Sequence, residues 1–373
     1  MPRLLDEHYN YLALANRLPL FERALGETIR DGDIVADLGC GFGVLGILAL
    51  KAGAARCYGI DSSDAVEIAR ETARREGLTD SYRLMRGSTF DISLPQPVDV
   101  LICDHVGYFG FDYGIIAMLA DARARMLRPG GRIIPERMNI GVALVESEDA
   151  YALADRWSRE PVPENLRWLQ EHGVNSQHAI RLAASDQVSP AVTIASVDFN
   201  QEPGVTMCCD IELIAARDAV CHGIAGFFDC TLSRSVRMTN SPLAEDRIDR
   251  ANGFLPVRRP FAVKAGDTVR ASFTIRHDPA FISWTVQPLG GKKQSMSTWH
   301  STILEPADLA PGVVKSPKRS SKGDAVLAVL QLVGDGISAA EIEHKLLETQ
   351  PDICPTPERA RVFVRDTLKK YTR

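Results

Sequence analysis

Apolar and polar positions follow two periods along the first 145 residues. Short apolar runs recur at Ile34–Asp37, in a segment ending at Asp61, at Tyr82–Arg86 and at Val98–Cys103. Each predicts a strand, and the unbroken run Val98–Cys103 predicts a central strand of a parallel sheet buried on both faces. Between them the period lengthens. In DAVEIARETARREGL the apolar residues Val66, Ala69, Ala73 and Leu78 return at helical spacing, with Ser62 or Ser63 as the cap. Ile115–Leu127 predicts another helix, RPGG a turn, and Arg132–Pro135 and Met138–Val145 further strands. Residues 1–30 carry Leu12, Ala15, Leu18, Phe21, Ala24 and Leu25 at helical spacing, and Pro19 predicts a division into two short helices. Strands alternating with helices predict a doubly wound α/β domain over 31–147.

The pattern then changes. Over 148–310 helical and polar segments alternate first, PVPENLRWLQEHG reading as a capped helix, and then short alternating strands follow. VTIASVDF, MCCDIELIA, GIAGFFDCTL, PFAVKAGDTV, ASFTIR and ISWTVQ are separated by turn residues, which predicts a β-barrel or sandwich. Residues 311–323 (PGVVKSPKRSSKG) read as a flexible basic linker. Residues 324–373 predict a small helical module: Val326, Val329, Leu330 and Val333 make a stripe, Ser338 with Glu341 a capping box, and Thr356-Pro357 a helix start. The order of its helices, with a DG turn, is similar to winged-helix modules, including those that hold precursor peptides for tailoring enzymes.

Composition narrows the class. At 373 residues, 45% hydrophobic and 24% charged, the chain has the make-up of a soluble protein with two or three domains. A net charge of −5 argues against a nucleic-acid binder held by bulk electrostatics. No run is long enough to span a bilayer, and MPRLLDEHYNY lacks a signal-peptide core. Eight scattered cysteines without metal-ligand spacing predict reduced thiols, no metal site and a cytoplasmic location.

The candidate chemistry lies in DIVADLGCGFGVLGILALKAGAARCYGIDSS (Asp33–Ser63). Gly39, Gly41 and Gly43 form a turn in which glycine lets a ligand approach bare backbone. Asp61, about 20 residues on at a strand tip, is placed to accept ribose hydroxyls. The spacing departs from the dinucleotide fingerprint, and Asp37 ahead of the first glycine, with the D-x-G-C-G-x-G order, suits a nucleoside with a charged amino-acid tail. Asp104 ends the Val98–Cys103 strand, at the sheet edge where ligands collect.

This stretch resembles class I S-adenosylmethionine-dependent methyltransferases. More narrowly, with VDVLICDHVGYFGFDYGIIAMLADARARMLRPGGRIIPER and VKAGDTV, it is similar to the protein arginine methyltransferase family over roughly residues 8–305. The resemblance implies a Rossmann-like methyltransferase domain, a β-barrel or sandwich, and S-adenosylmethionine as cofactor, with S-adenosylhomocysteine as product. It implies N-terminal helices of residues 1–30 over the cofactor site, and cofactor contacts from Arg17, Asp37, Gly39, Cys40, Gly41, Asp61, Ser62 and Asp104. Gly87, Ser88 and Thr89 would form the loop that holds adenine. Arg17, Phe21 and Ala24 match a family segment that pairs an arginine with the cofactor's carboxylate, although its leading aspartate is Leu14 here. Two family glutamates grip a guanidinium. Asp104 stands at the first, Tyr113 at the second, and Asp112 falls one residue short. IDRANGFLPV (Ile248–Val257) stands where the family has a Thr-His-Trp loop. In the family a helical arm, here near 155–177, joins two subunits head to tail, which implies a homodimer through Trp157, Leu166, Trp168 and Leu169; the same residues read equally as an ordinary satellite core.

The expected reaction is therefore methyl transfer to a side chain of a protein or peptide, an arginine-like nitrogen being the first acceptor. Asp104, Asp112 and Tyr113 are the candidates for orienting that nucleophile or taking its proton. N- or O-methylation of a small metabolite is the alternative within the same chemistry. A non-catalytic cofactor-binding scaffold is the alternative outside it.

Overall fold

The structure, a computed structural model, describes residues 2–277, 280–302 and 319–372. It divides into two compact units, Met1–Thr302 and Ile303–Arg373.

The first unit begins with α1 (Pro2–Leu12) and α2 (Arg17–Thr28). The break between them is not at Pro19. Asn16 takes a left-handed φ of 65° and ends the register there, while Pro19 sits in the first turn of α2, where its missing N–H has no intrahelical partner to lose. There follow β1 (Ile34–Leu38), α3 (Val44–Lys51), β2 (Arg56–Asp61), α4 (Ala65–Arg75), β3 (Tyr82–Arg86), β4 (Val98–Cys103), α5 (Ile115–Arg125) and β5 (Leu127–Ile134). The five strands form a parallel sheet in the order β3-β2-β1-β4-β5. Every residue of β4 is buried, as its unbroken apolar run predicts. RPGG is not a turn between elements. It lies inside β5 as an irregularity, the register jumping from Val98↔Leu127 to Val100↔Arg132, with Gly130 at φ 73°.

Next come β6 (Arg137–Val145), α6 (Glu148–Asp155), α7 (Gln170–Val174), β7 (His178–Ile180), β8 (Val192–Asp198), β9 (Thr206–Ile214), β10 (Ala219–Thr231), β11 (Arg237–Thr239), β12 (Asn252–Val263), β13 (Thr268–His277), β14 (Ala280–Pro288) and β15 (Gln294–Ser297). The strand–helix alternation assigns β6 to the α/β half, but it pairs antiparallel with β8 and β10. One sheet runs β7-β12-β10-β6-β8, with β11 beside β10, and a second runs β15-β14-β13-β9. Among the described residues no ladder joins the two into a closed barrel. They meet as layers, Trp284 Nε1 of β14 donating to the Pro256 carbonyl of β12 at 3.0 Å. In the arm, Glu164–Leu169 is a 3-10 turn that runs into the five-residue α7 rather than one capped helix. Pro163, at its N-cap, offers no side-chain acceptor.

The second unit holds α8 (Ser321–Gly334), α9 (Ala339–Thr349) and α10 (Pro357–Tyr371) around Val329, Ile342, Leu346, Cys354, Ala360 and Val364. Ser338 and Glu341 form their capping box and Thr356 caps α10. No wing strand exists among the described residues of this unit. Of the linker expected at 311–323, residues 311–318 lie outside the described residues. Its last residues, Ser321–Gly323, form the first turn of α8, where Ser320 Oγ accepts from Gly323 N at 3.1 Å.

Candidate functional site

The sheet reverses its winding between β1 and β4, and a cavity of about 450 Å³ opens beyond their carboxyl ends. The β1–α3 turn forms its floor. Gly39, Gly41 and Gly43 take φ of 68°, 54° and 80°, conformations open to glycine at little cost. The N–H groups of Gly39 and Cys40 donate to the Ile60 carbonyl at 2.8 and 3.0 Å, which ties the turn to β2. Space is as restrictive as torsion. A Cβ on Gly39 would come within 2.0 Å of His105 Nε2, and one on Gly41 within 2.6 Å of His8 Cε1.

Asp61 faces the same floor. Its Oδ2 accepts from Gly41 N at 2.9 Å, and its Oδ1 accepts from Ser63 N and Oγ at 2.8 and 2.6 Å. An ionised carboxylate has about four acceptor sites, so one remains for a ligand. Ser63 therefore serves Asp61 as well as α4, its Oγ also accepting from Ala65 N at 3.2 Å. Ser62 lines the cavity beside it. Gly87, Ser88 and Thr89 line the cavity beside Asp61, Gly87 N donating to the Asp61 carbonyl at 3.0 Å, and Arg125 of α5 holds that loop by donating to the Thr89 carbonyl at 2.7 Å.

Asp37 lines the cavity but is directed inward. Its Oδ2 accepts from Gly46 N of α3 at 2.9 Å and from the Tyr82 hydroxyl at 3.3 Å. Burial pushes its carboxyl up to about 7. Cys40 also lines the cavity, and burial pushes its thiol far above the usual range, so it is no nucleophile at neutral pH.

At the far wall Arg17 of α2 donates from Nε to Asp104 Oδ2 at 2.5 Å, with side chains only 9% and 7% exposed. Asp104 Oδ1 is buried and has no hydrogen-bond partner among the described residues. Tyr113, 38% exposed, completes this wall. Its ring meets Tyr108 edge-on at 5.5 Å. Burial first, then hydrogen bonding to Tyr108 and the Tyr11 charge, pushes its hydroxyl up.

Asp112 departs from expectation: it does not line the cavity. Its carboxylate accepts from the Tyr108 and Phe109 amides at 3.1 Å and from Gln177 Nε2 at 2.8 Å. Gly107, at φ 71°, leaves room for it, since a Cβ there would lie 2.0 Å from Asp112 Oδ1. Three donors fasten this carboxylate to its own loop.

Residues 1–30, expected to form helices over the cofactor site, line the cavity through α1. His8 of α1 stacks on Phe42 of the glycine turn with centroids 4.0 Å apart, and Tyr11 follows it into the cavity. Burial lowers the His8 pKa, opposed by Asp61 and Glu7. Only the aromatic inside G-C-G-F-G hints at a stacking partner.

Residues 20–136 match the family model described as ribosomal protein L11 methyltransferase (PrmA). The chain is 28% identical over 219 residues to protein arginine N-methyltransferase 1 of Chlamydomonas reinhardtii, covering 57% of this chain and 63% of that one. It is 33% identical over 126 residues to a probable protein arginine N-methyltransferase 6 of Arabidopsis thaliana, covering 34% and 29%. Among solved structures, the Arabidopsis thaliana protein arginine methyltransferase 10 superposes with a TM-score of 0.68 at 18% identity, over 79% of this chain and 98% of that one. The Trypanosoma brucei PRMT1 enzyme–prozyme heterotetramer with AdoHcy gives 0.66 at 21% identity, over 75% and 94%. The fold is that of a class I methyltransferase, and the chain resembles protein arginine N-methyltransferases.

Proposed function

We propose that this protein is an S-adenosylmethionine-dependent methyltransferase that modifies a side-chain nitrogen of a protein or peptide, arginine being the first acceptor. One observation carries the reading. A guanidinium (Arg17), a strand-tip carboxylate (Asp61) and a carboxylate with a dry, unpartnered oxygen (Asp104) surround one cavity above a bare glycine turn. The relatives named for arginine N-methylation support the acceptor class.

The residues fit an adenosyl amino acid. Gly39 and Gly41, at positive φ, keep the backbone bare of side chains. Asp61 keeps a lone pair for a ribose hydroxyl, and Arg17 has donors left beyond the Nε bound to Asp104. Ser88 and Thr89 edge the base-side wall. When bound, the cofactor supplies an electrophilic methyl group on a sulfonium. The chain's own work is placement. Arg17 fixes the Asp104 carboxylate, Oδ1 orients the acceptor nitrogen, and α1 with His8 and Phe42 closes the floor against water.

The helical segment at 155–177, with Trp168 largely exposed, is our candidate surface for a homodimer. All eight cysteines are free, and no helix among the described residues is long and apolar enough to cross a membrane. Both features suit the cytoplasmic location expected from the sequence.

The test is transfer of labelled methyl from S-adenosylmethionine into a source-cell lysate and into arginine peptides. Label in protein or peptide is expected and should vanish with Asp104→Ala. Label confined to small molecules would move the acceptor to a metabolite, and no label with cofactor bound would leave a scaffold.

A further inference from the structure

The base-side edge of the cavity carries a side chain that the reading above leaves unused. Phe90 follows Ser88 and Thr89 along the lining, and 51% of it is exposed. A ring this open holds apolar surface in water, which the flat face of a ligand would remove. The turn that presents it is braced from within. Phe90 N donates to Ser88 Oγ at 3.3 Å, and Asp91 N and Ile92 N donate to the Ser88 carbonyl at 3.0 and 3.1 Å. Arg125, which is not part of the lining, clamps the turn by donating to the Thr89 carbonyl at 2.7 Å and the Ile92 carbonyl at 2.9 Å. The backbone that carries the ring is therefore placed before any ligand arrives.

The carboxylate of this turn is not in the cavity. Asp91 is exposed and absent from the lining. It acts on Arg125 instead: hydrogen bonding to Asp121 first, and the charges of Asp121 and Asp91 after it, raise the pKa of that guanidinium. The carboxylates that do line the cavity are Glu7, Asp37, Asp61 and Asp104. Asp37 is bound inward by Gly46 N, Asp61 by the glycine turn and Asp104 by Arg17. Glu7 belongs to α1, the cover, and not to the turn that carries Phe90. The edge at Ser88–Phe90 thus offers hydroxyls and a ring but no acid.

That composition has a consequence for the base. A carboxylate beside a purine amine accepts its N–H donors strongly. It also rejects a base that lacks them, because the acid is then left desolvated and unpaired. A ring imposes no such penalty, since every base presents a π-face whatever its substituents.

We propose that Phe90 recognises the cofactor's base by packing on the flat face of adenine, and that no carboxylate reads the exocyclic amine. This makes Phe90 a specificity residue for the cofactor and rests on the methyl-transfer reading above. The ligand class widens to adenosyl compounds substituted on that amine.

The experiment is calorimetry on the full chain with S-adenosylhomocysteine and with its analogue dimethylated on the exocyclic amine, which keeps the ring system and loses both N–H donors. The two should bind the wild type within fivefold of each other, a comparison that needs no variant. Phe90→Ala should weaken both by at least tenfold, whereas Phe90→Tyr, which keeps a ring, should stay within fivefold of the wild type. An analogue more than fivefold weaker than S-adenosylhomocysteine would show the amine to be read, by Glu7 or another acid, and would overturn the proposal. A smaller loss in Phe90→Ala, or a loss in Phe90→Tyr equal to that in Phe90→Ala, would overturn it too. Each of these results removes only this inference. Absence of heat with S-adenosylhomocysteine on the wild type removes the methyltransferase reading as well.

Discussion

The glycine turn and the Asp104–Tyr113 loop face each other across one cavity, yet they treat their polar groups in opposite ways. At the turn the donors and acceptors are largely paired inside the chain: Gly39 and Cys40 with Ile60, Gly41 and Ser63 with Asp61, Gly46 with Asp37. Across the cavity Asp104 Oδ1 is dry and unpartnered among the described residues. A self-satisfied surface is rigid before any ligand arrives and suits a ligand of fixed shape. An unsatisfied one discriminates, because buried polar groups left unpaired penalise the wrong ligand.

The comparison can be broken most forcefully at its bridge. Arg17→Ala leaves Asp104 buried without its cation, which should destabilise the fold by about 3–5 kcal/mol. Thermal or urea unfolding measures it, and a loss below 1 kcal/mol would show that the pair is solvated in solution. On the turn side, Asp61→Ala should weaken S-adenosylhomocysteine binding by about 2 kcal/mol, roughly thirtyfold, from lost charge-assisted contacts. A change of less than twofold would remove Asp61 from the ligand.

Asp37 sharpens the contrast through pH. Burial holds its folded-state carboxyl at about 7, above the usual range, so the native state favours the protonated form. The stability this contributes is full below about pH 4 and is lost as pH rises through about 7. Asp37→Asn should flatten the fall in melting midpoint across that window, and an unchanged pH profile would contradict the assignment. The smallest effect belongs to Asp112. Asp112→Asn keeps the shape and an acceptor for the Tyr108 and Phe109 amides, so methyl transfer should change less than threefold. A loss of a hundredfold or more would return that carboxylate to the chemistry.

The sequence made the turn side legible and the acceptor side only in part. The ends of β2 and β4 fall where their apolar runs stop, because a strand buried on both faces has no polar position to blur the boundary. Gly39, Gly41, Asp61 and Asp104 meet in one cavity because they lie at or just past the carboxyl ends of the sheet neighbours β1, β2 and β4, and Arg17 joins them from the start of α2 through Asp104. Spacing failed where conformation, not polarity, decided. RPGG reads as a turn but is taken up inside β5, and Pro19 reads as a helix break but sits in a first turn. Asp112 and Arg250 show the deeper limit. Asp112 reads as free on a loop and is bound by three donors. Arg250 has the sequence setting of an ordinary surface arginine and is almost wholly buried against the Tyr11 ring. Which way a charged side chain turns depends on contacts such as Gln177 and Tyr11, far away in the chain.

A crystal structure with S-adenosylhomocysteine bound tests the central claim most directly. The ribose should lie against Asp61, the amino-acid carboxylate toward Arg17, and the sulfur should face Asp104 across the bare turn at Gly39–Gly41. Ligand density outside this cavity, or His8 and His105 filling it with the ligand present, would contradict the account.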